Sequence, residues 1–388
     1  MTTAFKWFGG FEPASFANIS GTGTPNSTVV NDPDVARTGN FYNRVFRSSA
    51  SAAATGAERG FTSTGAGAGL AMAGRAVFHL RVVTYPNVND VRVCGWSGQR
   101  ATRLEMNTSG QFRMYSDWIS GFTTTYSAFA LSLDTWYRII VSFWHDRAGN
   151  DTTRARVEVR AEDNELLAEH DVPTTFGGDL GTFNVDRITW GNTPAGGPSA
   201  TYEFLFDDIL AMLVTGDNAP ETPAVKSLVD GTGFFASIKV FGVPVTGQGG
   251  LNQWTGTFAD VDEIPAAADN QEGDNGEDVT YDHADAQAIG VTDIEAIKVY
   301  ANAITTSGTQ NQAILIGGVA LDVVLNASTT DDDDGNTPAA FSFSPLTNQD
   351  FNSLEFGFRS RVAGQVVTLR NIFAEVLGAG APVEEIEF

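Results

Sequence analysis

Apolar and polar residues alternate with a period of two along most of this chain, and helical periodicity is nearly absent. Between Arg75 and Val83, residues Ala76, Phe78, Leu80 and Val82 fall on one face of an extended segment. From Trp136 to Trp144, residues Tyr137, Ile139, Val141 and Phe143 share one face, with Trp136, Arg138, Ile140, Ser142 and Trp144 on the other. The next segment is cleaner: Ala155, Val157, Val159 and Ala161 alternate with Arg154, Arg156, Glu158 and Arg160. Between these two runs, His145-Asp-Arg-Ala-Gly-Asn-Asp151 has the chemistry of a hairpin connection. Tyr202 to Leu213 predicts a further long strand. Phe234 to Phe241, Ile294 to Ala301, Ala313 to Asn326 and Gln365 to Leu377 read as strands too, separated by Gly, Asn and Asp. Short strands with frequent turn signals predict an all-β protein of two β-sandwich domains. The 41 glycines in 388 residues exceed the usual ~7%, as many tight turns require.

Charge divides the chain. Lys plus Arg is 23 and Asp plus Glu 47, a net of −24. Residues 1–222 carry −6 of this and residues 223–388 carry −18. Six of the seven tryptophans lie in the first part, with only Trp254 in the second. Between them, Thr215-Gly-Asp-Asn-Ala-Pro-Glu-Thr-Pro223 is polar and holds two prolines, which is linker chemistry. The expected organisation is a domain over 1–214, a linker over 215–225 and an acidic sandwich over 226–388. No period of 20–50 residues is visible, which argues against solenoids and propellers.

Composition then narrows the partners. So acidic a chain lacks the clustered Lys and Arg that bind phosphate backbones, so no nucleic-acid partner is expected. One cysteine, Cys94, cannot build a disulfide framework or a multi-cysteine metal site. No window holds the roughly 18 apolar residues of a membrane helix, and the N-terminus has no signal-peptide pattern. The expectation is a protein made in a cytoplasm, with no membrane partner.

Four stretches carry a resemblance. Gly10-Phe-Glu-Pro-Ala-Ser-Phe16, Gly39-Asn-Phe-Tyr-Asn-Arg-Val-Phe46, Leu133-Asp-Thr-Trp-Tyr-Arg-Ile-Ile140 and Tyr202-Glu-Phe-Leu-Phe-Asp-Asp-Ile209 together resemble a concanavalin A-like (laminin-G-like) jelly roll over residues 5–214. That resemblance implies an opening strand paired near a closing strand that ends in Asp-Asp-aliphatic. In the second part, Asn252-Gln-Trp254, Ala259-Asp-Val-Asp-Glu-Ile-Pro265, Asp293-Ile-Glu-Ala-Ile-Lys-Val299 and Ser344 to Phe358 resemble a module of tailed-phage virion proteins. The second resemblance implies a virion part with no enzymatic role.

Candidate chemistry is sparse. A glucanase of the jelly-roll fold would carry Glu-x-Asp-x-Glu on one strand, aiming all its acids into the cleft. The nearest cluster, Glu162-Asp163-Asn164-Glu165, has the wrong spacing. Trp118, with Tyr115 and Asp117, is the glycan-stacking candidate because it sits in a polar context. Asp207 and Asp208, and Asp331 and Asp333 within a run of four aspartates, invite an ion. Consecutive aspartates on extended chain point alternately, however, so no metal and no cofactor is expected. The stretch Asp269 to Asp278 reads as a solvated acidic loop. His79 shares a face with Val77 and Arg81 and reads as a sheet residue rather than a base. No catalytic residue is predicted.

The resulting expectation is a tailed-phage virion structural protein, decorating the head or associated with the tail, and not an enzyme. Its partners would be other virion proteins, copies of itself as a homo-oligomer (a trimer as first guess) and a host surface glycan. A carbohydrate-binding, lectin-like protein is the alternative, and a glycan hydrolase the third reading.

Overall fold

The structure is a computed structural model. It describes residues 3–9, 27–32, 34–37, 41–47, 57–60, 71–98, 102–116, 122–123, 125–145, 152–162, 165–175, 185–191, 200–215, 238–262, 270–306, 309–326, 339–342, 346–361 and 366–380. Most of them are in antiparallel strands, and they divide into two compact units, one ending after the strand that closes at Thr215 and one beginning at Ile238. Of the expected linker over 215–225, Thr215 ends the strand that closes unit 1, and residues 216–225 lie outside the described residues, as do Asp331 and Asp333.

Unit 1 holds fourteen described strands. They are β1 (Thr3–Gly9), β2 (Ser27–Asn31), β3 (Phe41–Arg47), β4 (Ala57–Gly60), β5 (Ala71–Thr84), β6 (Val91–Gly98) and β7 (Thr102–Met106). The remainder are β8 (Phe112–Ser116), β9 (Phe122–Thr123), β10 (Trp136–His145), β11 (Thr152–Arg160), β12 (Leu166–Thr175), β13 (Val185–Trp190) and β14 (Tyr202–Thr215). The large sheet runs β12-β11-β10-β5-β14-β3-β2, with β1 sharing the β3 edge of β14. The small sheet runs β4-β13-β6-β7-β8-β9. Neighbours distant in sequence, such as β5 between β10 and β14, give the crossovers of a jelly roll.

The predicted inner faces are the observed ones. Ala76, Phe78, Leu80 and Val82 are fully buried, as are Ile139, Val141, Phe143, Ala155, Val157 and Val159. They pack on the small sheet through Trp96, whose ring meets Phe143 edge-on with centroids 5.5 Å apart. Its indole N–H donates to the Val141 carbonyl at 3.0 Å. Burying each such side chain contributes about 1.5–3 kcal/mol. A one-residue slip would turn the whole apolar set of a strand outward, so the register is firmly fixed.

Unit 2 is one continuous sheet folded over on itself. Its strands are β15 (Ile238–Asn252), β16 (Gln271–Gly273), β17 (Asp278–His283), β18 (Val291–Thr305), β19 (Thr309–Ile316), β20 (Val319–Asn326), β21 (Ala339–Ser342), β22 (Phe356–Arg359) and β23 (Val367–Gly380), with a short helix α1 (Asn348–Asn352). β15 makes the fold-over: residues 238–244 pair with β23, and from Val245 onward it pairs with β17. Val243, Tyr281, Ile297, Ile314, Phe356 and Val376 from both halves share one core, so the second unit is a sandwich as well.

Two expectations change here. Ala313 to Asn326 is a hairpin and not one strand: Gly317 and Gly318 have φ of 56° and 77°, which suits a two-residue turn needing two left-handed residues. The acidic stretch up to Asp278 is also built into the sheet rather than left as a loop: β16 pairs with β23, and β17 with β15 and β22. β16 and β17 flank a turn in which the Glu277 N–H donates to the Asp274 carbonyl at 3.2 Å. The Glu277 carboxylate accepts from the Asp274 N–H at 2.8 Å. Asp278 then takes both ends of the Arg359 guanidinium at 2.6 Å.

Candidate functional site

The side chains of the large sheet that point away from the core form a row of ionisable groups. Cross-strand register places Arg160 of β11 opposite Arg138 of β10, Arg138 opposite His79 of β5, and His79 opposite Asp207 of β14. Adjacent strands are about 4.8 Å apart, so four ionisable side chains succeed one another along a line across the sheet. Alternation adds Arg75 and Arg81 on either side of His79, Arg156 and Glu158 beside Arg160, and Arg44 on β3 opposite Leu205. Tyr42, two residues before Arg44, shares that face. Burial pushes its phenol pKa up, and the Asp32 carboxylate adds to the effect.

A bulge completes the site. β14 keeps step with β5 as far as Asp207 opposite His79 and resumes with Leu210 opposite Val77, so two residues stand against one. Asp208 takes up the slack at φ 47°, a left-handed conformation that Asp tolerates better than most residues. Bulges re-aim side chains, and this one holds an Asp208 carboxylate oxygen 3.6 Å from Nδ1 of His79. The Asp207 carboxylate accepts from the Asp208 N–H at 2.8 Å.

Residues 34–37 cross over this face. The indole N–H of Trp136 donates to the Val35 carbonyl at 3.3 Å. The Arg37 N–H donates to the second Asp207 oxygen at 3.0 Å. The Arg37 guanidinium pairs with Asp208 and, 3.2 Å away, with Glu162 at the end of β11. His79 is 1% exposed, Arg138 3% and Asp208 3%.

Guanidiniums gather at the centre, with carboxylates among them. Glu158 is held on one oxygen by Arg156 at 3.1 Å and on the other by Arg160 at 2.6 Å. Arg138 is pushed down to about 10, first by burial and then by the guanidiniums of Arg75, Arg160 and Arg37, with Glu158 the one opposing carboxylate among the causes. A guanidinium ordinarily stays charged far above that range, so burial among other guanidiniums works against the charge of Arg138.

The residues singled out from sequence fare differently. Asp207 and Asp208 sit mid-strand at a bulge, not at a strand end, and their carboxylates take Arg37; no group of three or more metal-ligating side chains occurs among the described residues. Tyr115 lies on β8 of the small sheet, facing away from the core with Arg103 stacked 3.9 Å over its ring. Asp117 and Trp118 lie outside the described residues. His79, read as a sheet residue, is at the centre of the cluster. The signal that could have found it is alternation: Arg75, Arg81, Arg138, Arg156 and Arg160 all occupy the outward register of their strands.

The sequence matches no protein-family model and no curated protein. Among solved structures, an alginate lyase from Aplysia kurodai is similar at 10% identity and a TM-score of 0.39, over 53% of this chain and 97% of that one. An alginate lyase from a Chlorella virus is similar at 14% identity and 0.34, over 48% and 88%. A Trypanosoma rangeli sialidase mutant is similar at 12% and 0.28, over 47% and 28%. These three neighbours are glycan-processing enzymes and none is a virion structural protein, so the expectations of a virion structural protein and of no enzymatic role are withdrawn. Likeness at this level does not assign a reaction, which has to be argued from the side chains.

Proposed function

We propose that unit 1 binds a carboxylated polysaccharide on the outer face of its large sheet and catalyses proton transfer there through His79. One observation carries the reading: Arg75, Arg81, Arg138, Arg156 and Arg160 occupy the outward register of three adjacent strands around His79. Guanidiniums set side by side suit a uronate carboxylate and not a neutral sugar.

The same arrangement suits β-elimination at a uronate. Guanidiniums fixed around the carboxylate stabilise the negative charge that develops when the adjacent carbon loses its proton. His79 takes that proton, with Asp208 orienting the ring and stabilising the imidazolium. The carbon–oxygen bond to the leaving sugar then breaks as the carbon–carbon double bond forms. The leaving oxygen needs a proton, and Tyr42, held protonated by its raised pKa, supplies a phenol on the same face.

A panel of polymers tests the proposal: polyuronates, a sulfated glycan and neutral glucans, each followed by binding and by the ultraviolet absorbance of an unsaturated uronate. Polyuronate binding that weakens as salt rises is expected, with absorbance growing on at least one polyuronate. Equal binding to neutral glucans would overturn the reading.

A further inference from the structure

We propose that residues 34–37 are a latch over the polyuronate site, with Arg37 as its bolt. The inference rests on the preceding reading for the identity of the guest, while the latch itself rests on geometry alone.

The segment is fastened at three places that bracket His79. Trp136 holds Val35 at the head of β10, Glu162 holds Arg37 at the end of β11, and Asp207 and Asp208 hold Arg37 on β14. In the sheet order β11-β10-β5-β14, a guanidinium reaching both Glu162 and Asp208 has to pass above β10 and β5. Arg138 and His79 occupy those two strands. Their exposures of 3% and 1% match a covered site, and a polymer cannot reach a covered site. Locally the segment is a compact turn, the Val35 and Ala36 N–H groups both donating to the Asp32 carbonyl.

The fastenings differ in kind. Arg37 and Asp208 are nearly sealed from water, whereas the Glu162 side chain is 55% exposed. Solvent screens that outer pair strongly, so it is the hinge side that loosens. Once that outer pair parts and the bolt leaves Asp208, the Arg138 cluster is open. Apparent affinity is then the intrinsic affinity scaled by the open fraction, so weakening the latch tightens binding.

Chemical labelling of histidine with diethyl pyrocarbonate, read by peptide mass spectrometry on the full chain, tests the latch without any glycan. Wild-type His79 should be protected. Arg37→Ala should raise its labelling rate at least tenfold, with Arg37→Lys between the two and the buried His283 of unit 2 as an internal reference for folding. Glu162→Gln changes one exposed carboxylate and should raise His79 labelling in the same direction by a smaller factor. It also keeps the test meaningful if Arg37→Ala fails to fold. Unchanged His79 labelling in Glu162→Gln and in a folded Arg37→Ala would overturn the latch. Polyuronate titration of the same proteins separates the two readings. Tighter binding by Arg37→Ala supports both, and weaker binding makes Arg37 a ligand contact and overturns the latch. Exposure of His79 with no uronate binding by any variant upholds the latch and overturns the proposed guest.

Discussion

Replacing Asp208 by Asn isolates the charge at the centre of the site. Asn has nearly the same volume and also tolerates the left-handed φ of 47° found there, so neither packing nor backbone changes. What is lost is the carboxylate between Arg37 and His79, in a pair whose side chains are 4% and 1% exposed. Breaking a buried ion pair by removing one partner costs about 3–5 kcal/mol, because the other charge stays buried. Arg37 keeps Glu162 at 3.2 Å, which places the expected cost at the lower end, about 3 kcal/mol. For a unit of this size that lowers Tm by about 6–12 °C. Tryptophan fluorescence during urea unfolding follows the event, since six of the seven tryptophans precede residue 223. A loss below about 1 kcal/mol, the size of a surface pair, would show that Arg37 and Asp208 are not paired away from water, and the site as described would be wrong.

Two further outcomes concern unit 2. A Cβ on Gly273 would lie 2.1 Å from the Trp254 ring, so Gly273→Ala should destabilise this unit by about 1–3 kcal/mol and shift Trp254 emission; an unchanged spectrum and stability would contradict that packing. His283 is buried between Phe351 and Phe356, and burial lowers its pKa below the ordinary imidazole value. The unfolded chain therefore binds a proton that the folded one resists, and stability is lost as pH falls from about 6.5 toward the lowered value. His283→Gln should flatten that part of the stability profile measured by urea titration, and an unaltered slope would place the titration elsewhere.

How much was legible follows from what period two can encode. The inward faces of β5, β10 and β11 are written in alternation, because each strand must bury one face by itself. Which strands become neighbours is not written there. Arg138, His79 and Asp207 form a row only because β10, β5 and β14 are adjacent, so a scattered histidine read singly had no visible partner. The bulge at Asp208 is a local slip between two strands, and neither strand's own pattern records it. Arg37, in a polar turn with no periodicity, reaches the site through tertiary hydrogen bonds alone. The hairpin at Gly317 and Gly318 was hidden for another reason: apolar residues continue on both sides of it, and the run from Ala313 reads as one strand unless the glycine pair is given the weight of a turn.

Recognition of carboxylate by the buried guanidiniums on the large sheet stands at the centre of the proposed function. Calorimetric titration of a short oligouronate into the full chain, compared between wild type and Arg138→Met, tests it most directly. Met keeps the length and apolar stem while removing the charge, and charged hydrogen bonds contribute about 1.5–3 kcal/mol each. Wild-type binding should weaken roughly tenfold or more in Arg138→Met, with its salt dependence reduced. Binding of equal strength and equal salt dependence in both proteins would contradict it.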